Sequence, residues 1–211
     1  MAADRSAMNG RGLGLTVAGQ PQPERADAAR NRKRIIDAAQ RIVRSGGVEA
    51  LYMEEVAQAA GVGVGTVYRR FGDRAGLAYA LLDEREVELQ QAFLAGPPPL
   101  GFGAPPVERI KAFLHALLDR LQEQSALLLV AETNSPHARY VSGAYRVHHA
   151  HLAGLVEQVR PGSDARYLAD ALLAPIGACL VTYQQDVTGM SLDRIKSGLD
   201  DLVDAISKPE N

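Results

Sequence analysis

Thr66, Tyr68, Arg69 and Arg70 stand within one short stretch, between Gly65 and Phe71. A hydroxyl, a phenol and two guanidiniums at that spacing are groups that hydrogen-bond phosphate oxygens and the edges of bases. Tyr68 suits a phosphate, with its ring supporting Thr66. Thr66 and Arg70 suit base edges, because arginine can grip guanine through two bonds. Gly65 leaves the backbone N–H groups of a helix start open to an anionic oxygen. Arg69, Arg74 and the basic stretch that includes Arg32 suit phosphates, which fix register and not sequence.

Such groups read DNA only from a rigid support, and the residues before them supply one. Ala57 is small enough for a second helix to cross it, and four residues later Gly61 can take the positive φ of a tight inter-helix turn. Val67 is a branched plug with Val56 and Val62 as its natural neighbours. This is the pattern of a helix-turn-helix, whose second helix enters a major groove. An ordinary helical hairpin shares the pattern, and the flanks decide between them. Upstream, Ile35, Ala38, Ala39, Ile42 and Val43 form a helical stripe over about residues 27–45 that stops at Gly46-Gly47. Downstream, Gly72-Asp73 ends the recognition helix, and Asp73 is placed to cap a fourth helix through Leu77, Leu81 and Leu82.

Arg32 to Ala39, Gly46-Gly47, Met53 to Ala57, Ala60-Gly61-Val62, Gly65 to Phe71 and Asp73-Arg74 through Leu77 together resemble the TetR family of bacterial transcriptional regulators. The resemblance is dense over about residues 32–82; beyond it the chain is similar in length and helical character only. It implies a homodimer that binds a palindromic DNA operator, more often as repressor than activator, and a variable C-terminal domain that holds a small-molecule effector. Two positions depart from the family pattern. Tyr52 stands where Ser or Thr usually caps the second helix and touches a phosphate; its phenol could do the same, or its ring could pack as a staple. Gly63-Val64 replaces the usual Ser cap of the recognition helix, and glycine caps without a hydroxyl to donate.

The chain has 211 residues, 46% of them hydrophobic, enough for a small head and a larger core. No apolar run is long enough to span a bilayer and the first residues lack a secretory layout, so a cytoplasmic location is expected. The single cysteine, Cys179, fits a reducing compartment and reads as a packing residue. The net charge of −2 is unevenly spread: residues 1–80 hold 12 basic and 8 acidic side chains, residues 81–211 hold 11 and 17. A positive head on a negative body orients the molecule toward a polyanion.

The pattern predicts an all-α fold of about nine helices: a disordered arm over 1–24, a helix-turn-helix head over 25–72, and a ligand-binding and dimerisation body over 73–211. Arg5 and Arg11 of the arm could reach a minor groove. The Gly96 to Pro106 stretch, rich in Pro and Gly, reads as a hinge or spacer between head and body. Beyond it come helices over about 107–124 and 139–159, the latter with Val141, Tyr145, His148, Leu152, Leu155 and Val159 inward. A long helix over 164–188 follows, capped by Ser163 and kinked at Pro175, and a last one is capped by Ser191. The long helix is apolar around most of its girth, the last one adds Leu192, Ile195, Leu199, Leu202, Val203 and Ile206, and the two together suit a four-helix dimer interface.

His115, Glu132, Tyr145, His148, Tyr183 and Gln184 are the polar groups on apolar helical stripes, and are the candidates for binding a ligand. His148, His149 and His151 do not share one face, so no metal is expected, nor is any cofactor. No phosphate loop, nucleophile elbow or HExxH helix is present, so no enzyme is expected. A helical ligand-binding or scaffold protein with little DNA affinity is the alternative reading.

Overall fold

The computed structural model describes residues 23–134 and 137–208. The expected arm, with Arg5 and Arg11, falls almost wholly outside the described residues, as do Ser135 and Pro136. Ten α-helices and two short 3-10 turns make up the described fold, which contains no strand among those residues.

The head begins with α1 (Pro23–Gly46), which ends where Gly47 takes a φ of 71°. A 3-10 turn (Val48–Ala50) leads to α2 (Met53–Ala60) and then α3 (Val64–Phe71). Val56 and Val67 are fully buried and Ala57 is 3% exposed, so the two helices meet through a small residue, as its size requires. Between them Gly61 is left-handed (φ 63°, ψ 42°), and the Val62 N–H reaches the Ala57 carbonyl at 3.0 Å. The Arg34 guanidinium on α1 donates to the Ala60 carbonyl at 2.7 Å, finishing the exposed end of α2. A side chain at position 61 would therefore meet both backbone strain and this guanidinium, 2.9 Å from where its Cβ would lie.

Asp73 caps α4 (Arg74–Ala95) by accepting the Gly76 N–H at 2.8 Å. This helix packs on α1 and α3 at its start and runs antiparallel to α5 (Pro106–Thr133) for the rest. The expected hinge is thus corrected: the Pro- and Gly-rich stretch turns α4 back onto α5 within the body, and α4 itself joins head to body. The helix expected to end near residue 124 continues as α5 to Thr133, broken at Gln124, whose φ of −126° and ψ of 21° leave the helical region.

The remaining elements are α6 (Ala138–Val141), α7 (Gly143–Val159), α8 (Ala165–Leu173), α9 (Ala178–Asp186) and α10 (Leu192–Ser207). The helix expected over 139–159 is interrupted at Ser142, whose hydroxyl caps α7, and Val141 is turned to solvent instead of inward. Asp164, not Ser163, caps α8. The long penultimate helix is two helices, because Pro175 forms a 3-10 turn (Ala174–Ile176) and Gly177 goes extended after it. No single described helix is long and apolar enough to cross a membrane.

One continuous core runs from Ile35 in α1 through Leu77 and Phe93 in α4 to Val203 in α10. Phe93 and Phe113 meet edge to face at 5.0 Å, and the His151 ring lies 4.3 Å from Phe93 and 4.9 Å from Phe113. Antiparallel α5 and α10 are joined by two ion pairs in register, Lys111 with Asp204 at 2.6 Å and Asp119 with Lys196 at 2.6 Å, and between them His115 lies 2.9 Å from Asp200.

Two consequences can be measured. Gly61→Ala should lower stability by about 1–2 kcal/mol from the left-handed backbone alone. In chemical unfolding the loss should shrink in an Arg34→Ala background, where the collision is gone. Burial, with Arg109 and His148 nearby, pushes the His151 pKa down from 6.5 to about 4. The unfolded chain then binds the proton that the folded chain refuses, so this contribution is complete above pH 6.5 and is lost as pH falls to 4. Melting curves should fall less steeply across that window for His151→Leu than for the parent.

Candidate nucleic-acid interface and ligand cavity

Helix α3 buries only Val67 and turns its remaining sides outward. Arg32 from α1 joins Thr66, Arg69 and Arg70 around one hollow on the head's surface. Gly65 has open space where a side chain would be, and Gly63 caps the helix with no side-chain bond. Arg69 and Arg70 are exposed and have no ion pair among the described residues, so both guanidiniums are available to an anion. Tyr68 is 43% exposed and donates its phenol to the Glu54 carboxylate at 3.2 Å. That carboxylate raises the phenol's pKa, keeping it a neutral donor.

The other expected contacts are less free. Arg74, expected to hold a phosphate, donates to the Val48 carbonyl at 2.6 Å and lies 3.8 Å from Glu49, so it also clamps the 3-10 turn. Tyr52, at the start of α2, makes no capping bond; it is 55% exposed, with the Arg74 guanidinium 6.0 Å from its ring. The basic patch of α1 is largely paired: Arg30 with Asp27, Arg32 with Asp83, and Lys33 with Asp37 at 2.9 Å. Sequence reading counted these cations without the aspartates one turn or one helix away.

In the body, α4, α5, α7 and α8 surround an inner cavity of about 60 Å³. Leu117, Leu121, Leu128, Leu173 and Ile176 give it an aliphatic wall, and Tyr79, Arg120, Glu132, Arg139 and His148 a polar one. An outer cleft between α4 and the start of α7 shares Tyr79, Arg120, Ser142 and Ala144 with it and includes Asp83, Glu86 and Gln90.

Of the expected ligand-binding residues, Glu132, Tyr145 and His148 line the inner cavity. The other three lie elsewhere. His115 faces Asp200 in the α5–α10 ladder, Tyr183 is 54% exposed on α9, and Gln184 sits next to it, outside both cavities. Tyr145 is committed to Asp170 at 2.6 Å, and burial followed by that bond raises its pKa. Glu132 accepts the Ala178 N–H at 2.8 Å, which opens α9, and lies 3.6 Å from Arg139. The Arg139 guanidinium also donates to the Leu173 carbonyl at 2.8 Å.

Sequence reading missed the polar centre of the body. Glu86 on α4 meets Arg120 of α5 at 2.7 Å and His148 of α7 at 2.8 Å, and it accepts from Gln90 at 2.7 Å. Burial would raise the pKa of Glu86, but His148 and Arg120 outweigh that and hold it below the usual carboxylate value. Tyr79 was missed as well. Its hydroxyl is buried beside Ser142 with no well-formed hydrogen bond, and burial, with Glu132 nearby, pushes its pKa up to about 12. One signal was available: Glu86 falls on the helical stripe of Leu82, Leu89 and Phe93, where a charge demands a partner. The histidines have separate uses, His148 on Glu86, His149 on the Arg166 carbonyl at 3.1 Å and His151 on the two phenylalanines.

Residues 35–81 match the family described as bacterial regulatory proteins, tetR family. The HTH-type transcriptional repressor KstR of Rhodococcus jostii is 36% identical over 104 residues, 49% of this chain and 46% of KstR. An HTH-type transcriptional regulator of Staphylococcus aureus is 37% identical over 65 residues, 31% of this chain and 35% of the relative. The chain thus spans less than half the length of these curated relatives. In fold it is similar to Thermus thermophilus FadR, a TetR-family transcriptional repressor solved with lauroyl-CoA. The TM-score is 0.63 at 18% identity, covering 85% of this chain and 96% of that one.

Proposed function

Because the chain belongs to the TetR family of bacterial regulatory proteins through its head, we propose that it is a homodimeric, sequence-specific DNA-binding regulator. It acts as a repressor that leaves a palindromic operator when a small molecule fills the body. The observation that carries this reading is the unpaired Arg69–Arg70 pair beside Thr66 and Gly65, on a helix that buries only Val67. Arg70 and Thr66 read base edges, while Arg69, Tyr68 and Arg32 hold phosphates. Protein of this kind works where the chromosome is, in the cytoplasm.

Dimerisation is supported by apolar side chains left in water on the last helices: Tyr167 on α8, Leu180 and Tyr183 on α9, Val187 after it, and Leu202 on α10. A second copy covering that face places two α3 helices on one side of a two-fold assembly, as a palindrome requires. Coupling to a ligand has two physical routes. Helix α4 is both a wall of the cavity and the stem of the head. In addition, Asn134 at the end of α5 donates to Asp73 at 2.7 Å, two residues beyond Glu132 in the cavity wall. A ligand that fits the cavity better in one joint geometry shifts the separation of the heads; equal fit to both shifts nothing.

Selection of bound duplexes from a random pool tests the reading, followed by titration of the selected word at several salt concentrations. A preferred, inverted-repeat word with affinity falling steeply with salt is expected; no preferred word overturns it. Tyr68→Ala should weaken binding by more than about tenfold, roughly 1.4 kcal/mol, with little change in thermal unfolding. Glu54→Gln should strengthen binding several-fold, because it frees the phenol and removes a negative charge from the DNA side. For the dimer, Leu180→Arg should give a folded monomer in light scattering and a large loss of operator affinity. A dimer that persists would move the interface elsewhere.

A further inference from the structure

One apolar side chain at the entry to the recognition helix stands apart from the core. Val62, Val67 and Phe71 all pack in or against the core, whereas Val64 is 41% exposed at the first position of α3. Its neighbours on both sides are glycines, and a Cβ added at Gly63 or Gly65 would meet nothing within 4 Å. Val64 is therefore a lone branched knob at the helix tip, flanked by open space. The nearest hydrogen-bonding side chains of α3 are engaged or placed elsewhere: Thr66 borders the hollow with Arg32, Arg69 and Arg70, and the Tyr68 phenol is held by Glu54.

A recognition helix enters the major groove with its N-terminal residues against the base edges. Gly63 and Gly65 let that tip come close, and the first side chain to arrive is Val64, which can neither donate nor accept a hydrogen bond. Of the base edges in the major groove, only thymine's projects an apolar group, its methyl; guanine, adenine and cytosine present donors and acceptors there. Against a polar edge the isopropyl group would strip water and return no hydrogen bond. We propose that Val64 is a specificity-determining residue that packs on a thymine methyl, so that each operator half-site carries thymine at the position facing the helix tip. The inference rests on the reading of the head as a DNA reader and adds one fixed base to its operator. The tip then reads by apolar contact, and Thr66 and Arg70 read by hydrogen bonds further along the same helix.

The test uses the full chain and the duplex word selected from the random pool. Each thymine of a half-site is replaced in turn by deoxyuridine, which keeps the hydrogen-bonding groups and removes the methyl alone. At one position the swap should weaken binding about fourfold per half-site, the worth of one buried methyl. Val64→Ala should weaken binding to the unmodified word by a similar factor, with its melting curve unchanged. The two losses should not add: Val64→Ala should bind the thymine and deoxyuridine duplexes equally well. Thr66→Ser, which removes a second methyl from the outer side of α3, should leave the deoxyuridine penalty in place. A selected word without a fixed thymine overturns the assignment, as does indifference of every thymine to the loss of its methyl. So does a penalty that persists in Val64→Ala, or one that Thr66→Ser abolishes instead. Each of these leaves the DNA-reading function standing, whereas the absence of any preferred word overturns both, so the two failures are told apart.

Discussion

A carboxylate placed inside a helical core has to be compensated on every side, and Glu86 is where this protein meets that demand. Its side chain is 10% exposed, and its partners come from three helices: Gln90 on its own α4, Arg120 on α5 and His148 on α7. Removing one partner of such a pair strands the other at a cost of about 3–5 kcal/mol, so the three helices hold a common register. The same pairing sets the shape of the cavity, because Arg120 lies where the inner chamber meets the outer cleft. One constellation therefore satisfies a buried charge and shapes the cavity, and its helix α4 runs on to the head.

The head follows a different economy of charge. Its first helix is rich in basic residues, yet most are bound within the protein, and Arg34 and Arg74 finish or clamp backbone carbonyls. Among the described residues of the head, Arg41 and Arg44 near the end of α1 and Arg69 and Arg70 on α3 have no ion pair, and Arg69 and Arg70 stand together on the recognition helix. A uniform basic surface would favour any polyanion alike. Setting two free guanidiniums side by side on α3 ties attraction to the placement of that helix.

The head was legible in the sequence because its constraints are local. A glycine four residues after Ala57 and a cap at Asp73 are decided within a turn or two, and Gly61 and Asp73 take those conformations. Helix ends in the body were legible for the same reason at Ser191, but Ser163 lost to its neighbour Asp164, which is one residue better placed. The break at Pro175 was visible; that it would separate two helices depended on Gly177 turning extended. Ion pairs in the body were hidden because they join distant segments: Glu86 and His148 are 62 residues apart. Even so, Lys111, His115 and Asp119 repeat at four-residue steps, and Lys196, Asp200 and Asp204 repeat at the same step with a chemistry that matches in reverse order. Such complementary spacing identifies two helices as antiparallel neighbours, and it explains why His115 belongs to the scaffold.

The break at Gln124 divides α5 between two tasks. The portion before it is laddered to α10, and the portion after it lines the cavity and ends at Asn134 on Asp73. Asp73 and Asp83, both contributed by α4 side of the junction, are the groups that receive Asn134 and Arg32. Transplanting a foreign reading head onto this base would thus succeed mechanically only with the graft point placed before Asp73 and an arginine retained opposite Asp83. Cavity and recognition helix are separable as cargo, but the contacts that join them travel with α4.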